Sequence, residues 1–229
     1  MAGSYGAENP QNDRYRLSFT VGGLLAPQGR IIAALFVGNE DRLASPIASS
    51  MSGEAAANNE LGERVAGIRK QAIDGNVLSI RTESANTRIV REMVKRLSTL
   101  TGTEIRHLSD DDTPVTDLQA LMWVAMCRYY AVVGEFANEV LRDHYLLGNM
   151  TVTREDYDRF ILSKSMWHPE LEELSNATAC KLRSNLFKAL DEAGLVGKSD
   201  NTLLPSLLSK TVTDILEERP ESFQFFPMR

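Results

Sequence analysis

A chain of 229 residues, 43% hydrophobic and 24% charged, can bury a core without a metal or disulfide staple and is too apolar to be disordered throughout. Its two cysteines, Cys127 and Cys180, lie too far apart for a four-cysteine zinc site or a disulfide framework, and suit a reducing cytoplasm. The net charge of −6 excludes a uniformly basic surface, yet residues 64–106 hold nine Lys or Arg against four Asp or Glu, so positive charge is concentrated locally.

Residues 1–16 (MAGSYGAENPQNDRYR) lack an apolar core and a cleavage pattern, and read as a short arm rather than a signal peptide. Residues 15–20 (YRLSFT) alternate as a short strand would, and Gly22-Gly23 follows as a turn. An amphipathic helix is expected over 24–37. A loop with at most one helical turn then covers 38–62, which is rich in Ala, Ser, Asn and Gly. Residues 64–72 read as a helix ending at Asp74-Gly75-Asn76.

The most informative segment is residues 84–100. Ile89, Val90, Met93, Val94, Leu97 and Leu100 fall within an arc of about 140° on a helix. Arg88, Arg91, Lys95 and Arg96 are expected on the opposite side, with Gly102 closing the helix. Burying the apolar stripe would then present four cations along one rod.

The acidic run 108–112 (LSDDD) is read as a domain boundary. It separates an N-terminal helical domain (1–110), containing the basic helix, from a C-terminal bundle (111–229). Thr113-Pro114 signals a helix start, and residues 114–133 are apolar nearly all round, which places that helix at the centre of a bundle. A break at Gly134 precedes a helix over 135–147. Thr153 and Asp156 form a capping pair for the next helix, which ends near His168-Pro169. One long or two bent helices fill 170–193, closed by Gly194. Residues 195–204 read as a small hairpin, followed by a last helix from Ser206 or Ser209 to Glu218. The FQFF tail is expected to be extended and docked by its aromatics.

Helix, turn, helix and hairpin is the order of a winged helix-turn-helix unit. The expected fold is therefore mainly α, with two helical subdomains, the second helix-turn-helix-like with a short β-hairpin wing. The second helix would offer Lys181, Ser184, Asn185 and Lys188 on a polar face, with Arg183 beside them and Lys198 in the wing.

No catalytic, cofactor or metal constellation is expected. His107, His144 and His168 lack partner spacing, and Asp110-Asp111-Asp112 reads as a solvated linker. Gly197-Lys198-Ser199 mimics a phosphate loop but has Glu192 where that loop needs glycine. The longest apolar run, 120–127, falls far short of the roughly 20 residues of a membrane span.

Several segments are similar to one known family. NVLSIRTESANTRIVREMVKRLSTLT (76–101), LMWVAMCRYYAVVGEFANEVLRDHYL (121–146) and YDRFILSKSMWHPELEELSNATACKLRSNLFKALDEAGL (157–195) resemble the BrxA family of BREX bacteriophage-exclusion systems. LSFTVGGLL, LLPSLLS and FQFFP fit as well. The main departure is the Ala/Ser-rich stretch 45–59, a longer connector than the family pattern.

The resemblance implies a two-part, NusB-like helical protein, encoded beside a methyltransferase, an ATPase and a phosphatase-like protein, that binds DNA. It carries no catalytic residues to transfer. The expected function is that of a non-catalytic, cytoplasmic DNA-binding accessory protein. Arg88, Arg91, Lys95, Arg96, Lys181, Arg183 and Lys188 are its candidate contacts to double-stranded DNA. A structural adaptor docking other BREX proteins and a NusB-like RNA-binding protein are the alternatives. Self-association is left open.

Overall fold

In a computed structural model, residues 14–43, 54–198 and 200–228 are described, the side chains of 39–43 and 54–61 excepted. Residues 1–13 of the expected N-terminal arm (1–16) and most of the Ala/Ser-rich connector lie outside them. Ten α-helices follow one another among the described residues: α1 Ala26–Leu43, α2 Glu54–Asp74, α3 Glu83–Leu97, α4 Gly102–Ser109, α5 Val115–Tyr129, α6 Ala131–Phe136, α7 Asp143–Leu147, α8 Arg154–Ser165, α9 Asn176–Glu192 and α10 Lys210–Leu216. A π-helical turn, Ala137–Arg142, joins α6 to α7, and 3₁₀ turns cover Pro169–Leu171 and Pro220–Phe225. The mainly helical class expected from periodicity is what the structure has.

The all-round apolar pattern of α5 puts it at the centre. Every residue from Ala120 to Cys127 is buried. Helices α1, α3 and α4 pack against it, and the C-terminal 3₁₀ turn closes over it. Trp123 shows why the tail belongs to the core: its indole N–H donates to the Phe225 carbonyl at 2.9 Å, while Phe226 is buried beside it. Buried residues from Tyr15 to Phe226 form one continuous hydrophobic cluster that runs across residue 110.

Several expectations are corrected. The loop expected over 38–62 is shortened from both sides, because α1 runs on to Leu43 and α2 begins at Glu54. Gly102 starts α4 rather than merely ending α3. A reciprocal capping box makes that helix, with Thr101 accepting from the Glu104 N–H and Glu104 accepting from the Thr101 N–H. The break after α5 falls at Tyr130 and not at Gly134. Gly134 instead permits close approach, since a Cβ there would stand 2.9 Å from the Cys127 carbonyl oxygen and 3.1 Å from the Phe225 ring.

Residues 15–20 do not form a strand. The segment runs extended without a neighbouring strand, and side chains satisfy its backbone instead. Glu170 accepts from the Tyr15 N–H at 2.6 Å, and Asn185 donates to the Phe19 carbonyl at 2.9 Å. The expected hairpin wing is also absent. Among the described residues, 195–204 carries only the isolated antiparallel bridge Val196–Leu203, and a second bridge joins Thr151 to Thr202. Two backbone bonds flank the first bridge, from the Gly197 N–H to the Thr202 carbonyl at 2.8 Å and from the Leu204 N–H to the Leu195 carbonyl at 2.9 Å, while the Leu203 N–H turns to the Met150 carbonyl at 2.9 Å, so the arms stay too short for strands. The C-terminal tail is a 3₁₀ turn rather than extended, with Phe225 and Phe226 buried as expected.

Candidate nucleic-acid interface

Helix α3 buries the stripe that its period demands: Val90, Met93, Val94 and Leu97 are each at most 1% exposed. The opposite side carries Arg88, Arg91 and Lys95, all exposed. Among the described residues none of the three has a carboxylate partner at ion-pair distance. Like charges so placed repel one another modestly and are relieved by a bound anion.

Arg96 is not the fourth member of that row. It lies about 100° round the helix from the centre of the buried stripe, close enough for a crossing segment to cover it. Residues 21–24 do so, and the guanidinium is fully buried. It pairs with Glu92 at 2.8 Å and donates to the Gly23 carbonyl at 2.8 Å, with longer contacts to Val21 and Leu24 carbonyls at 3.4 Å. Glu92 also accepts from the Tyr130 hydroxyl at 2.8 and 2.9 Å. Burial first, and then the Glu92 charge, hold that phenol far above its ordinary range. Arg96 is therefore a buried pin that ties α3 to the N-terminal segment, not a ligand contact.

Residues 18–21 and α3 line an open cleft of about 530 Å³. Arg88, Arg91 and Lys95 line it together with Ser84 and Thr87 from the first turns of α3 and Ser18 and Thr20 from the segment. Glu83 and Glu92 also reach it. The N-terminal contribution was missed from sequence, because nothing in YRLSFT states which helix it will cross.

Helix α9 borders the other side of the same segment. Asn185, expected on the polar face, is buried and holds Phe19. Gly23 adopts φ +67°, and a Cβ there would collide with the Glu192 carboxylate, which accepts from the Leu24 N–H at 2.5 Å. Lys188 passes over Gly22 and sits 3.6 Å from Glu192. Lys181 is exposed two turns earlier, roughly 10 Å along the axis. Arg183 is taken by an ion pair with Asp158 and is less available than expected. Lys198 is exposed in the bridged loop.

The histidines have local partners. His107 meets Asp117 at 2.9 Å, His144 meets the Thr151 carbonyl at 2.9 Å, and His168 stacks on Tyr15 at 3.6 Å. Among the described residues, no three His, Cys, Asp or Glu side chains converge as metal ligands would, and no helix is long and apolar enough to cross a membrane.

The family model of BrxA matches residues 52–220, most of the chain. The chain belongs to the BrxA family. A BREX protein BrxA from Paramagnetospirillum magneticum is 24% identical over 212 residues, which cover 92% of this chain and 94% of that relative. BREX proteins BrxA from Bacillus cereus and Escherichia coli are 24% and 27% identical over 127 and 128 residues. Those two alignments span 56% of this chain and only 62% and 59% of the relatives' own lengths. The crystal structure of an uncharacterized protein from Magnetospirillum magneticum superposes with a TM-score of 0.68, covering 92% of this chain and 96% of that one. At 20% sequence identity that likeness concerns the BrxA-family fold alone.

Proposed function

We propose that this BrxA-family chain is a non-catalytic, cytoplasmic DNA-binding accessory protein of a BREX phage-defence system. The observation that carries the reading is the row Arg88, Arg91 and Lys95, exposed along one helix and unpaired among the described residues. Such cations attract phosphate without reading sequence, so binding is expected to be weakly specific and to fall steeply with salt. Lys188, Lys181 and Lys198 extend the positive ground onto α9 and the bridged loop. Between α8 and α9 lie ten residues and a 3₁₀ turn, longer than the short turn of a helix-turn-helix, so the reading rests on the α3 row rather than on docking of that kind.

Replacing Arg88, Arg91 and Lys95 together by glutamine tests this. All three are exposed, so folding is expected to survive while affinity for a duplex at low salt drops by at least tenfold in an anisotropy titration. Unchanged affinity removes the row from the interface.

A second reading, an adaptor docking other BREX proteins, is favoured by a different feature. Leu162, Met166 and Trp167 at the end of α8 are 71–79% exposed, an unusual apolar group on an acidic protein. Co-purification with another BREX protein, lost in Trp167→Ala, together with no measurable affinity for duplex DNA, would select it. A NusB-like preference for RNA would show as single-stranded RNA outcompeting duplex DNA in the same titration.

A further inference from the structure

We propose that the cleft between residues 18–21 and α3 is a binding site for a single nucleotide-sized, phosphate-bearing molecule. This inference goes beyond the DNA reading and does not depend on it. A duplex lies as a rod across exposed cations and needs no cavity to receive it. Here the cations line a cleft of about 530 Å³ that is broadly open to solvent but within the roughly 300–1,000 Å³ of small-molecule pockets. Arg88 and Arg91 are separated by about 4.5 Å along the helix axis, and Lys95 stands about 6 Å further on. One phosphate group can therefore meet two of them, leaving the third for a second anionic oxygen or a sugar hydroxyl.

The uncharged lining suits the same ligand. Ser84 and Thr87 have hydroxyls without a partner among the described residues, and Thr20 faces them with only a 3.5 Å contact to the Ser18 carbonyl. Hydroxyls at the rim of a cationic cleft donate to phosphate oxygens and accept from a ribose. The acidic residues divide into two kinds. Glu92 on the floor is already neutralised by Arg96 and by the Tyr130 hydroxyl, so it does not repel an anion as a free carboxylate would. Glu83 is exposed at the start of α3 and does oppose one.

Titration calorimetry of the full chain with the four ribonucleoside 5′-monophosphates, their nucleosides and inorganic phosphate tests the proposal. At least one monophosphate is expected to bind tenfold or more tightly than its nucleoside and than inorganic phosphate. Thr87→Trp fills the cleft without altering its charge and should weaken that binding at least tenfold. Ser84→Trp does the same from an exposed position and serves if the first variant does not fold. Glu83→Gln should tighten binding. Equal affinity in a folded filled variant, or monophosphates no tighter than inorganic phosphate, overturns the proposal. A single-stranded oligonucleotide that displaces the monophosphate identifies a strand's phosphate as the source, and failure to displace it identifies a free nucleotide. A chain that binds duplex but no monophosphate refutes only this inference, and the converse refutes only the DNA reading.

Discussion

Lys95 and Arg96 are consecutive in sequence, yet one meets water and the other is enclosed. The difference is 100° of helical rotation, enough to carry Arg96 under residues 21–24. Once buried, its charge is tolerable only because Glu92 and several carbonyls surround it. Removing one member of such a pair leaves the other uncompensated, at a cost of roughly 3–5 kcal/mol. Arg96→Met is therefore expected to lower the urea midpoint sharply, while Arg88→Met leaves it nearly unchanged. Arg96→Met combined with Glu92→Gln should recover part of the loss, because the stranded carboxylate is gone and Tyr130 keeps an acceptor. Equal midpoints for the two single variants would contradict this account of Arg96.

At the scale of the element, α8 depends on its first turn. Thr153 and Asp156 cap each other reciprocally, and Arg159 adds an ion pair to Asp156. Burial pushes the Asp156 carboxyl upward, but the Thr153 N–H, the Thr153 hydroxyl and Arg159 together outweigh it, so the net shift is below the ordinary aspartate range. The ionised form is thus favoured by folding. Its stabilising contribution is complete above the unfolded aspartate value, about 3.9, and is lost as pH falls through the lower folded value. Asp156→Asn is expected to destabilise near neutral pH and to make no further difference in strong acid. Chemical denaturation followed at both pH values checks it; a difference that persists undiminished in acid would remove the carboxylate's charge from the explanation. Thr153→Ala should cost about 1 kcal/mol through the lost cap.

Across the whole molecule, two long-range arrangements carry the argument. The chain's last segment completes the core around α5, since Phe226 is 1% exposed and Trp123 donates to the Phe225 carbonyl. Phe226→Ala should cost roughly 3–5 kcal/mol by cavity formation, read as a fall in thermal midpoint. A midpoint within a degree of the parent would mean that the tail merely rests on the surface. The second arrangement is charge. A protein with net charge −6 attracts polyanions only where cations are gathered, and Arg88, Arg91 and Lys95 are gathered along the cleft that α3 forms with residues 18–21. If Arg88, Arg91 and Lys95 each displace a counterion, their joint removal should make the log–log salt dependence of duplex binding shallower by up to about 2.7. A slope that does not move would show that these three never touch phosphate.

Periodicity alone was enough for the mainly helical class, the central position of α5, the buried stripe of α3 and the Thr153–Asp156 cap, because each is written in residues at most a few turns apart. The same local rules identified Arg88, Arg91 and Lys95 as outward cations. Only the tertiary structure decided that Arg96 would be covered, that YRLSFT would remain unpaired, that residues 195–204 would form bridges instead of a wing, and that Ser18 and Thr20 would face Thr87 across a cleft. Each of those outcomes depends on which distant segment crosses which helix. A one-dimensional pattern fixes the face a side chain takes on its own helix, but not the neighbour that arrives to cover it.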